Sequence, residues 1–126
     1  MEEEGIVSIW LGNFSDENAL ITYAAEEGRI NGAEVVSQFS KDFFNGEMWA
    51  FDPDFFERAV VKPSNNISKL VKPFSYGETF EVDNIKLNKS YNAVILVYDY
   101  KYEVQNKPVN APVEFIAAVP YENLDL

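Results

Sequence analysis

Ser90-Tyr91-Asn92-Ala93-Val94-Ile95-Leu96-Val97-Tyr98-Asp99-Tyr100-Lys101-Tyr102-Glu103-Val104 is the longest apolar run in the chain. Its β-branched and aromatic residues favour a strand. Side chains alternate between the two faces of a strand. One face then reads Val94, Leu96, Tyr98, Tyr100, Tyr102, Val104. The other reads Tyr91, Ala93, Ile95, Val97 and then the charged Asp99, Lys101, Glu103. A strand over 91–104 is therefore predicted to be covered on both faces in its first half and to open to water on one face in its second. Val94 to Val97 are expected to be buried at the centre of an antiparallel sheet that also holds Val113 to Val119. Burying each such Val, Ile or Leu contributes roughly 1.5–3 kcal/mol.

Outward from this strand, Gly5 to Gly12 reads as a first strand, with Val7, Ile9 and Leu11 on one face and Ile6, Ser8 and Trp10 on the other. Residues 113–121 read as a third strand, hairpinned to the central one. The segment between carries helix signals. Ser15 precedes Asp16 and Glu17, which suit a helix first turn, and a helix is predicted over 15–27. Val35, Val36, Phe39 and Phe43 recur at three- and four-residue spacing, predicting a helix over 33–44. Asp52-Pro53 combines a capping acid with proline at the first helical position, predicting a helix over 53–62. Shorter helices are expected over 64–72 and 75–82, the last from the capping-box spacing of Ser75 and Glu78. One strand, several helices and a final hairpin make an α+β pattern, and 126 residues suit a single domain over 1–126.

The net charge is −11. Up to Glu57 there are 13 acidic and 2 basic residues; from Arg58 onward there are 8 of each, so the first 57 residues carry the whole imbalance. An anionic half repels nucleic acid and anionic membranes and attracts basic partners. It also serves plain solubility. No apolar run reaches the length of a membrane span. Met1-Glu2-Glu3-Glu4 is acidic where a signal peptide is basic. With no cysteine, these features point to a cytoplasmic protein.

The chain has no histidine and no cysteine, which removes thiol and imidazole nucleophile systems and the usual zinc ligands. It also lacks a phosphate-binding glycine motif. No metal and no organic cofactor is expected. Carboxylates remain. Asp52, Asp54 and Glu57 lie close in sequence, and paired acids can run glycoside chemistry. The same three suit capping and dipole complementation at a helix start. Asp16 and Glu17 form a second acidic helix start, while Glu57, Glu26 and Glu27 sit where capping demands are lowest. Tyr98, Tyr100 and Tyr102 read as a half-covered sheet face or a binding platform. Trp10, on a small and partly polar face, reads as a core residue or a partner anchor.

Taken in order, these segments resemble a known family. Val7-Ser8-Ile9-Trp10-Leu11-Gly12-Asn13-Phe14 leads into a helix containing Tyr23. Ser37-Gln38-Phe39 follows with Asp42-Phe43, then Phe51-Asp52-Pro53-Asp54-Phe55-Phe56-Glu57, then Asn92-Ala93 opening a strand that ends Tyr98-Asp99-Tyr100. This series is similar to the Immunity protein 22 family of bacterial polymorphic toxin systems. The resemblance implies a non-catalytic protein that binds and neutralises a cognate toxin, and it carries over no catalytic residue. Many toxins attack nucleic acids and are basic, so a basic toxin, for example a nuclease, fits an acidic partner. The expected contact residues are Asp52, Asp54, Glu57, Asp16, Glu17, Glu26, Glu27 and Trp10. An acidic adaptor for another basic protein and a carboxylate-dependent hydrolase are the competing readings.

Overall fold

The computed structural model describes residues 1–48, 50–105 and 107–124, and of Ile30 the backbone alone. Its centre is an antiparallel sheet of four strands. β1 is Glu2–Gly12, β4 is Phe56–Ser64, β5 is Tyr91–Tyr100 and β6 is Val113–Pro120. Their order is β4-β5-β1-β6. β5 lies inside the sheet, and Val94, Ile95, Leu96 and Val97 are fully buried. β5 and β6 are not a hairpin, however, because β1 lies between them. β1 is the better interior strand: Val7, Ile9, Trp10 and Leu11 are all fully buried. β6, with Glu114 and Pro120 exposed, tolerates an edge.

The sheet is covered on both faces. Val7, Ile9, Leu11, Val94, Leu96 and Tyr98 form one core with α3 (Ile67–Val71) and Phe80. Trp10, Ala93, Ile95 and Val97 form the other with α1 (Glu17–Tyr23) and α2 (Gln38–Phe43). Two irregularities set which residue faces which core. Asp99 has φ +54°, and beyond it Tyr100 and Tyr102 join the second core while Tyr98 stays in the first. The expected single face of three tyrosines is thus split. Opposite Asp99 the register slips, from Val7↔Tyr98 to Glu2↔Tyr100. The Asp99 carboxylate closes this bulge, accepting from Gly5 N (2.9 Å) and the Tyr121 hydroxyl (2.7 Å). β1 and β6 are also bulged: Ile9 faces Ala117 and Trp10 faces Phe115, leaving Ile116 as the extra residue.

The helix-rich α+β packing expected from the sequence is not what forms. The chain is mostly sheet, and its longest helix, α1, has seven residues and is capped by Asp16 rather than Ser15. The predicted helix over 33–44 divides into a strand and α2. That strand, β3 (Ala33–Val35), forms a small hairpin with β2 (Gly28–Ile30). Asn31-Gly32, with φ +52° and +82°, supplies the two-residue turn that suits an Asn-Gly pair. The predicted helix over 53–62 is a three-residue 3-10 turn, Pro53–Phe55, followed by β4. Phe56 and Val60 pack on the second core and Val61 on the first, as strand alternation requires. Pairing with the buried β5 outweighs the weak helix preference of Val60-Val61. Residues 64–72 yield only the five-residue α3, and 75–82 only a 3-10 turn, Gly77–Thr79.

Candidate functional site

Asp52 Oδ1 accepts the Asp54 N–H at 2.9 Å, and Pro53 presets the backbone that follows. The resulting turn, Asp52 to Phe55, stands out from the sheet, with Asp52, Pro53, Asp54 and Phe55 all exposed. Clefts flank it on both sides. One, of about 340 Å³, is lined by Glu26, Glu27, Asp54 and Arg58 among others. The other, of about 430 Å³, is lined by Glu2, Glu3, Glu4, Asp52, Phe55 and Asp99, with Tyr98 and Tyr100. The turn therefore gathers acids from both ends of the acidic half and from β5.

Of the candidates named from sequence, Asp52, Asp54, Glu26 and Glu27 meet around this turn. The others lie elsewhere. Glu57 turns to the first core, where its Oε1 accepts the Tyr98 hydroxyl at 2.6 Å and the Ser75 N–H at 3.2 Å. Asp16 accepts the Ala19 N–H at 2.8 Å as the cap of α1. Glu17 accepts the Val60 N–H at 2.9 Å and so satisfies an outward group of the edge strand β4. Glu27, though it lines the first cleft, also holds Ser37 through the backbone N–H (3.0 Å) and the hydroxyl (3.3 Å). Trp10 has no exposed surface. It sits edge-on to Phe39 at 5.0 Å and beside Phe115 at 5.2 Å, packed as a core residue.

Sequence reasoning missed Glu2, Glu3, Glu4 and Asp99 as lining residues, and named Tyr98 and Tyr100 only as part of a tyrosine face. The acidic Glu2-Glu3-Glu4 was legible as a charge run, but its place beside Asp52 depends on β1 extending back to Glu2 along β5.

Several acids are held by tyrosines, and one of them, Glu114, by a lysine as well. Tyr23 donates to Asp42 at 2.7 Å, Tyr91 to Glu114 at 2.9 Å, Tyr98 to Glu57 and Tyr121 to Asp99. Burial first, and then the bonded carboxylate, pushes each of these hydroxyls above its ordinary pKa. Ion pairs among the described residues are Arg29–Glu34 (3.4 Å) and Lys89–Glu114 (3.3 Å), both exposed. Asp52, Asp54 and Glu57 do not converge on one point, since Glu57 is drawn to Tyr98. Among the described residues no group of three or more acids is placed to hold a metal ion, and no helix is long and apolar enough to cross a membrane.

A family model described as Immunity protein 22 matches residues 7–122, nearly the whole chain. No curated protein matches the chain, and no solved structure does.

Proposed function

We propose that this chain, which belongs to the Immunity protein 22 family, binds and neutralises a cognate protein toxin through the acidic surface on both sides of the Asp52–Phe55 turn. The immunity role follows from the family; the toxin's chemistry and the contact surface are our reading. The observation that carries it is the gathering of Glu26, Glu27 and Asp54 on one side of an exposed turn and Glu2, Glu3, Glu4 and Asp52 on the other. Such a surface steers a basic protein into encounter and resists nucleic acid itself. The protein acts by occupancy, without catalysis. Asp52 is engaged in capping and Glu57 in the bond to Tyr98, which leaves the hydrolase reading without a convergent acid pair. A basic toxin, a nuclease among the fitting classes, is the expected partner, met in the cytoplasm.

The test is co-expression with the toxin encoded beside this gene. Survival of the producing cell, with a complex recovered from it, is the expected result. Cell death despite a folded protein, or a complex with a harmless basic protein instead, would replace this reading with that of an acidic adaptor.

A further inference from the structure

The cleft of about 340 Å³ is built from the residues after α1, the cap of α2, the Asp52–Phe55 turn and β4. Among the described residues Arg58 is the one basic side chain that lines it. Arg58 pairs with Ile95 across the β4–β5 ladder, which puts it on the second-core face with Phe56. Its guanidinium carbon lies 5.2 Å from the centre of the Phe56 ring. The Nε atom is buried and has no hydrogen-bond partner. Arg58 also forms no ion pair with a described residue, although Glu26, Glu27 and Asp54 line the same cleft. Glu27 is turned instead to the Ser37 N–H and hydroxyl. An arginine on an edge strand can swing into water and satisfy every donor it carries. This one lies over Phe56 with Nε covered and unpaired, a state that costs free energy and that buried polar groups nearly always avoid. It is a held cation at a cleft wall with its donors unspent.

We propose that this cleft receives an acidic side chain of the toxin, whose carboxylate accepts from the Arg58 guanidinium. The surrounding carboxylates decide what must flank that acid. A bare anion is repelled by Glu26, Glu27 and Asp54. An acid set between lysines or arginines brings its own neutralisation, and the flanking cations meet Glu26 and Asp54. The cleft thus reads an alternation of charge, while the acidic surface at large reads only net charge. A basic protein without the acid is rejected here, because it sets a like charge against Arg58. Only the partner's identity as a toxin is taken from the immunity reading above.

The test uses the full chain and a capped peptide with one glutamate between two lysines, followed by NMR of the Arg58 Nε–H and the Phe56 ring. A saturable shift of both is expected. Glutamine in place of the peptide's glutamate should weaken binding about tenfold, the scale of a hydrogen bond between charged groups. Arg58→Gln should remove that discrimination. Arg58→Lys, which keeps the charge and loses the planar fork, should keep only part of it. The two peptides are compared within each variant, so a change in folding does not imitate the effect. Glu26→Gln with Asp54→Asn should weaken the lysine-flanked peptide and strengthen one whose glutamate is flanked by glycines. Glu78→Gln with Glu81→Gln, in the charge-balanced half, should leave both unchanged. No shift at millimolar peptide, equal binding of the glutamate and glutamine peptides, or the same saturable shift from inorganic phosphate alone would overturn the assignment. The peptide titration needs no toxin, so the two readings fail separately. Discrimination between the peptides without protection of cells removes the immunity reading; protection without discrimination removes the role of Arg58.

Discussion

At the scale of single residues, tyrosine hydroxyls take over work that cations do in more balanced proteins. Tyr98 is the clearest case: it is 6% exposed and donates to Glu57 (2.6 Å) while lying 2.8 Å from the Ser75 carbonyl. Tyr98→Phe leaves Glu57 and Ser75 short of a partner, and an expected loss of roughly 1–3 kcal/mol can be read by denaturant unfolding. Glu57 is consequently a poor place to probe binding by charge reversal. Glu57→Lys is expected to lower the melting temperature, whereas Glu26→Lys, at an exposed cleft residue, should leave it within a degree or so of the parent. Equal melting temperatures for the two variants would show that the Tyr98 bond is not structural.

At the scale of elements, the 52–64 segment explains most of the departure from the predicted helices. Asp52 and Pro53 do start a helical turn, but it lasts three residues because Phe56 to Val60 pair with β5. The cap matters locally. Asp52→Ala is expected to cost about 1 kcal/mol, at the level typical of lost caps, and to loosen the turn that separates the two clefts. Thermal unfolding beside peptide or toxin binding distinguishes these effects, since Asp52→Asn can keep the bond to Asp54 N–H while losing the charge. A second element is held by close approach. A Cβ at Gly77 would collide with the Val71 carbonyl oxygen at the end of α3. Gly77→Ala is expected to destabilise by roughly 1–3 kcal/mol, measured by the same unfolding curves. A neutral result would mean that the Gly77–Thr79 turn can move freely away from α3.

At the scale of the whole molecule, charge and titration act on association and on stability separately. Reversing Glu26 and Asp54 should slow association with the toxin and flatten its salt dependence more than it speeds dissociation. Stopped-flow kinetics at two salt concentrations, against reversal of Glu78 and Glu81, checks this. Equal effects from both pairs would reduce the acidic half to a solvated face. Stability responds to alkali. The Tyr91 hydroxyl is pushed up to about 12 by burial and by its bond to Glu114, and Tyr23, Tyr98 and Tyr121 are raised as well. In the unfolded chain these groups ionise near pH ~10. Above that pH the unfolded state gives up protons that the folded state keeps, so stability falls as pH rises. The melting temperature is expected to decline from about pH 10 upward, and Tyr91→Phe should remove part of that slope. A melting temperature independent of pH through this range would contradict the hydrogen-bonded network.

By itself the sequence determined the buried strand at Val94 to Val97, the positions of β1 and β6 along the chain, the absence of thiol and imidazole chemistry, and the family resemblance. These rest on local pattern and composition, which need no knowledge of distant partners. It also made the Asp52-Pro53 start and the acidic imbalance legible. Tertiary structure alone decided the rest. Whether Phe56 to Ser64 is helix or strand depends on β5 lying beside it, since inter-strand hydrogen bonds come from a segment some 35 residues away. The place of β1 between β5 and β6 follows from its need for cover on both faces, not from chain order. The left-handed turn at Asp99, which sends Tyr98 and Tyr100 to opposite faces, is held by Gly5 and Tyr121 from the two ends of the chain. For the same reason the candidate site was only half visible. Asp52 announces itself by its own turn, but Glu2 to Glu4 and Tyr100 join it only where the sheet folds the chain's beginning back along β5.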